Sequence, residues 1–137
     1  MNKIILTLVI LTTQWIFAQQ ASLTVNVSGF HSNEGKLKVG LYNSEGNFLK
    51  EVYLSSESKI NDLKASVVFK DLPVGEYAVS IYHDENNSGE LEKGMFGIPK
   101  EPFACSNNAK GKMGPPKYND AKFTLDSNKE IVIELGK

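Results

Sequence analysis

The chain has 137 residues, 15 basic against 16 acidic groups, a formal net charge of −1 and a single cysteine. Every cation is a lysine. Without the planar guanidinium fork, specific base or phosphate readout is disfavoured, and nucleic acid is not an expected partner. One cysteine excludes an intramolecular disulfide, and two distant histidines beside it give no zinc-ligand spacing.

The first stretch, MNKIILTLVILTTQWIFAQQ, reads as a secretory signal over residues 1–19. Lys3 supplies the positive start, Ile4 to Leu11 the apolar run, and small Ala18 a residue suited to the cut. The run is short for about 30 Å of hydrocarbon, so cleavage is expected rather than anchoring. The remainder, 20–137, is expected to be one exported domain, periplasmic or extracellular, large enough for a real core.

Alternation dominates the rest of the chain. In SLTVNVSGF, Leu23, Val25 and Val27 share one face, opposite Thr24 and Asn26. In GKLKVGLY, Leu37, Val39 and Leu41 alternate with Lys36, Lys38 and Gly40. A period of two marks half-buried antiparallel strands, and HSNEG between them has a hairpin composition. Phe48 to Leu54 is expected as a short irregular strand and SSESK as a polar loop. Further strands are expected at Ala65–Phe69, Glu76–His83, Lys122–Leu125 and Glu130–Leu135, and no helical stripe of useful length. About seven short strands predict an all-β antiparallel sandwich, immunoglobulin-like or transthyretin-like. Tyr77, just after a Pro-Gly bend, either ties its hydroxyl back to the backbone as a corner or is an interior aromatic. The sequence leaves both open.

Residues 94–118 break the rhythm with Pro99, Pro102, Pro115 and Pro116. Structureless loops beyond about 15 residues are uncommon in compact domains. This one carries Met95, Phe96, Ile98, Phe103 and Met113, too much apolar surface for a disordered linker, and is expected to pack on the sandwich. It is locally basic. Its functional reading is a recognition surface for an anionic or carbohydrate ligand, with Phe96, Phe103, Asn107, Asn108, Lys110 and Tyr118 as candidate ligand-binding residues. Its structural reading is a loop that covers a sheet edge.

YHDENNSGELEKG can be laid against a calcium loop: Asp84, Asn86, Ser88, Glu90 and Glu92 fall at oxygen-ligand positions, with Gly89 at the turn. The spacing makes Ca²⁺ a candidate ion, with Glu101 or Asp120 available to complete a shell. Against it, Met95 replaces the bidentate Glu and a strand, not a helix, enters the loop. The alternative is a polar turn in which Asp84 bonds local amides. His83 beside Asp84 suggests a catalytic pair, yet adjacent strand residues point to opposite faces. Neither Ser88 nor Ser106 has an elbow-like setting, and Cys105 reads as a buried small apolar residue.

The chain carries Leu72-Pro73, Gly75, Tyr77, His83-Asp84 and Asn86, then GIPKEP (residues 97–102), SNNA (106–109) and Gly114-Pro115-Pro116. On these residues the segment from Leu72 to Leu125 closely resembles a bacterial family of exported domains of unknown function, DUF2141. The resemblance implies an exported immunoglobulin-like or transthyretin-like sandwich and supplies no catalytic residues. The expected function is a non-enzymatic binding or structural module acting on a protein or carbohydrate at the cell envelope or outside the cell. The alternatives are a small hydrolase or carbohydrate-active enzyme using His83 with Asp84 or Glu92, and a purely structural envelope protein.

Overall fold

The computed structural model describes residues 17–136; the expected leader, apart from Phe17 to Gln19, lies outside the described residues. Eight strands run in chain order: β1 (Gln20–Ser28), β2 (Lys36–Tyr42), β3 (Leu54–Lys59), β4 (Lys64–Pro73), β5 (Gly75–Asp84), β6 (Phe103–Cys105), β7 (Phe123–Leu125) and β8 (Lys129–Glu134). They form two sheets. The smaller has the order β4-β1-β8, and the larger β3-β2-β5-β6, with β7 also paired to β5.

The strict alternation of β1 and β2 turns into a core between the sheets. Leu23, Val25 and Val27 of β1 meet Leu37, Val39 and Leu41 of β2, with Tyr77, Val79 and Ile81 of β5 and Val67 and Phe69 of β4. Each fully buried aliphatic side chain of this kind contributes about 1.5–3 kcal/mol. Tyr77 is both things the sequence left open. It is buried in the core, and its hydroxyl donates to the Pro73 carbonyl at 2.6 Å, closing the Leu72–Gly75 bend.

Three expectations need correcting. The sandwich is not wholly antiparallel: β8 runs parallel to β1, from Leu23 beside Lys129 to Ser28 beside Glu134. Pairing between chain segments so far apart has no local sequence signal. The strand expected at Phe48–Leu54 is displaced. Phe48 lies in a turn, and LSSESK, expected to be a loop from Ser55 to Lys59, is β3 itself. This is an edge strand with no buried residue, so it carries no apolar period. Its register on β2 is reinforced by Glu57, which accepts from Lys36 Nζ at 3.0 Å and Lys38 Nζ at 2.6 Å. The Pro/Gly-rich stretch contains its own elements: β6, two single 3-10 turns at Met95–Gly97 and Ser106–Asn108, and one helical turn, α1 (Tyr118–Ala121).

That stretch packs on the outer face of the larger sheet. Ala78 of β5, Tyr42 of β2 and Cys105 of β6 are buried there with Phe48, Tyr118 and Ala121. Phe48 stands edge-on between two rings, 5.3 Å from Tyr42 and 5.7 Å from Tyr118. Strand β5 is thus covered on its outer face at Ala78 as well as on its core face, while Ser80 and Tyr82 farther along that outer face are only half-buried.

Candidate functional site: an acidic turn and an aromatic cleft

Strand β5 ends in a carboxylate that faces the turn it launches. Asp84 is buried; its Oδ1 accepts the Ser88 N–H at 3.0 Å and its Oδ2 the Gly89 N–H at 2.9 Å. The Ser88 hydroxyl lies 3.2 Å from Asp84 Oδ1 and 2.9 Å from the Glu90 carbonyl, with one proton to give. Asn86 Nδ2 donates to Glu92 Oε1. Asn87 and Gly89 take left-handed backbone, at φ 54° and 82°.

A second buried carboxylate holds the same turn from the other side. Glu101, in the GIPKEP block, accepts the Glu85 N–H at 2.7 Å and the Glu92 N–H at 3.2 Å. All five residues set against a calcium loop therefore sit on one turn, but Asp84, Asn86, Ser88 and Glu92 spend their side chains on one another and on backbone amides. Asp120, the other acid considered for the shell, belongs to α1, and among the described residues no three His, Cys, Asp or Glu side chains converge on one point.

His83 points the other way, into the sandwich. It is fully buried, edge-on to Phe30 with centroids 5.1 Å apart, and its Nε2 donates to the Glu34 carbonyl at 2.7 Å. Because a carbonyl only accepts, Nε2 carries the proton, and Nδ1 is left without a hydrogen-bond partner. His83 and Asp84 therefore have separate partners. Gly35 permits this arrangement. At φ 72°, its missing Cβ would lie 2.0 Å from the Asp84 carbonyl oxygen. Cys105 is equally withdrawn, with burial pushing its thiol up to about 12, so no thiolate forms near neutral pH.

The outward residues of β2 and β5 are different. Tyr42, Ser80 and Tyr82 line two adjoining hollows on the outer face of the larger sheet. One, of about 420 Å³, reaches Lys38, Gly40 and Glu57. The other, of about 370 Å³, runs under Lys93, Gly97 and Pro99 to Phe103. Tyr42 Oη and Ser80 Oγ are 3.2 Å apart, and Tyr82 Oη donates to the Gly89 carbonyl at 3.1 Å, tying the cleft to the acidic turn. Burial raises the Tyr42 phenol; burial and then the Asp84 and Glu101 carboxylates raise that of Tyr82. Both stay protonated donors. Gly40 keeps the hollow open, since a Cβ there would stand 2.9 Å from Val52 Cγ1.

The six ligand candidates of the long loop separate. Phe103, Asn108 and Lys110 come together at a third hollow of about 320 Å³, and Phe103 also borders the cleft. Phe96 stands alone at the tip of the Met95–Gly97 turn. Tyr118 is buried against Phe48, so it offers no stacking face. The two asparagines fasten the loop. Asn107 Nδ2 donates to the Asp120 and Lys122 carbonyls at 3.1 and 2.9 Å, and Asn108 Oδ1 accepts the Glu134 N–H at 3.1 Å. Ser106 is the most buried member of this block. Its Oγ accepts the Val79 N–H at 2.9 Å and donates to the Ala121 carbonyl at 2.5 Å, continuing the β5–β6 ladder one position past its last pair.

Fold and site together define an all-β sandwich whose one long excursion is fastened over the outer face of its larger sheet. The chain belongs to the family DUF2141, described as an uncharacterized protein conserved in bacteria, whose model matches residues 25–133. No curated protein and no solved structure gives a significant match.

Proposed function

We propose that the protein is an exported, non-enzymatic binding module that takes a polyhydroxylated ligand, a carbohydrate of the cell envelope or its surroundings, in the Tyr42–Ser80–Tyr82 cleft. The observation that carries this reading is the half-buried Tyr82 ring set beside the Tyr42 and Ser80 hydroxyls along one open hollow, with Lys38 and Glu57 at its end. Such a surface offers apolar faces to sugar rings and donors and acceptors to their hydroxyls. The buried His83, the self-bonded Asp84 and the protonated Cys105 favour binding over hydrolysis, because none presents a base or nucleophile to the cleft.

The direct test is an NMR titration with oligosaccharides from peptidoglycan and from exopolysaccharide. Shifts should concentrate at Tyr42, Ser80 and Tyr82, and Gly40→Val, which fills the hollow, should weaken binding at least tenfold. Saccharides that leave these signals unmoved, or are cleaved by wild type but not by His83→Ala, sink the proposal.

The acidic turn is proposed to stand on its own hydrogen bonds. A Ca²⁺ ion, which the residue spacing admits, would have to displace two backbone N–H groups from Asp84 to reach its oxygens. A melting curve in millimolar Ca²⁺ should therefore coincide with one in EDTA. A rise of several degrees in Ca²⁺, abolished by Asp84→Asn, would establish the ion site instead.

A further inference from the structure

The segment from Glu92 to Lys100 is a small projecting hairpin. The Gly94 N–H donates to the Ile98 carbonyl and the Lys100 N–H to the Glu92 carbonyl, both at 2.7 Å, and Lys93 bridges Pro99. Phe96 and Gly97 at its tip are both left-handed, with φ of 60° and 70°. That reversal turns the side chains outwards: Met95 is 79%, Phe96 92% and Ile98 64% exposed. Three large apolar side chains within four positions, none packed on the fold, differ from the singly scattered apolar residues of an ordinary surface.

A fourth apolar side chain, Met113, is fully exposed between Lys112 and Gly114. The two segments lie at one side of the molecule, because Pro115 borders the same hollow as Gly97 and Pro99. Around them stand Lys93, Lys100, Lys110, Lys112 and Lys117, and none forms an ion pair among the described residues. The sole acid between residues 93 and 117 is Glu101, whose two oxygens are turned inward onto backbone amides. Glu90 and Glu92 stand at the foot of the hairpin and Asp120 beside Lys117, so the positive charge is concentrated at Lys93, Lys100, Lys110 and Lys112, behind the apolar tip.

We infer that the Met95–Ile98 tip docks the protein on an anionic lipid surface. A protruding tip has no concavity to receive a partner's side chains, but it matches the boundary between headgroups and acyl chains, where apolar side chains insert by about 5–10 Å. The lysines have long stems and compact charges. They reach lipid phosphates without the fixed geometry that arginine imposes, and each adds roughly a fivefold gain in partitioning near a negative leaflet.

The test uses residues 17–137, which contain every described element and every core side chain from Ala21 to Leu135. The only tryptophan, Trp15, lies upstream of this piece, so Phe96→Trp places one fluorophore at the tip. With vesicles of phosphatidylglycerol in phosphatidylcholine, its emission should move to the blue and be quenched by brominated acyl chains. Pure phosphatidylcholine should give at least tenfold weaker binding, and added salt should weaken the anionic case. The triple variant Met95→Ser, Phe96→Ser, Ile98→Ser should melt like wild type and lose at least tenfold in vesicle flotation. Three results overturn the inference: no blue shift with anionic vesicles at low salt; equal flotation of the triple variant, which would mean charge adsorption alone; or a blue shift that requires an added protein and not lipid.

Discussion

Ser106→Ala removes one oxygen atom and should be among the most damaging single changes outside the aliphatic core. The hydroxyl is fully buried and serves two backbone groups, the Val79 N–H at 2.9 Å and the Ala121 carbonyl at 2.5 Å. No water can replace it in a pocket closed by Ala78, Cys105 and Ala121, each fully buried. Each orphaned buried group costs about 1–3 kcal/mol, so the variant should lose about 2–4 kcal/mol of a total near 5–15 kcal/mol. At about 4 °C per kcal/mol for a domain of this size, its melting point should fall by about 8–16 °C. The assay is urea unfolding of both proteins, with amide exchange monitored by NMR. The midpoint should drop at constant slope, and the Val79 amide should lose more protection than its neighbours on β5. A loss below about 0.5 kcal/mol, or an unchanged Val79 exchange rate, would refute the idea that this hydroxyl substitutes for a ladder partner.

The same geometry sets other outcomes. Tyr77→Phe keeps the ring in the core but frees the Pro73 carbonyl, and should cost about 1 kcal/mol in urea unfolding. Cys105 should resist a thiol reagent at pH 8 in the folded protein and react at once in urea. Its folded value of about 12 lies above the unfolded value of 9.0, so its contribution to stability is complete below pH 9 and fades as pH rises towards 12. Hydrogen bonds from Lys38 and then Lys36 hold Glu57 down at about 2, against an ordinary 4.5. That contribution is present above pH 4.5 and lost as pH falls towards 2, so Glu57→Gln and wild type should differ slightly at pH 7 in low salt and melt alike at pH 2. Gly35→Ala would drive a Cβ into the Asp84 carbonyl at a left-handed position, and should lower the melting point by more than about 10 °C in calorimetry.

What the sequence disclosed depended on whether a residue's role has a local period. Leu23, Val25 and Val27 announce their face because every second side chain is buried, and Tyr77 is announced by the bend before it. Strand β3 is silent: the half-buried positions of LSSESK are serines, so no apolar residue marks the alternation. The parallel register of β1 and β8 is silent too, because backbone pairing between such distant segments leaves no mark in either one. In the acidic turn the residue types were legible but their employment was not. Asp84 and Glu101 look like ligands by composition and are consumed by N–H groups. Ser106 and Asn107 look like surface for a partner, and only the three-dimensional neighbours Val79, Ala121 and Lys122 give them their work. The cleft does leave a usable signal: Gly40, Tyr42, Ser80 and Tyr82 all occupy the outward set of two clear strands.

The parallel seam between β1 and β8 also decides how this domain bears tension. Force drawn along the chain enters β1 at Gln20 and leaves β8 at Glu134, at opposite ends of neighbouring strands that run the same way. The strands cannot unzip from one end. They must slide past each other, loading every cross-strand bond from Leu23–Lys129 to Ser28–Glu134 together. An antiparallel closure would have let the bonds fail one by one.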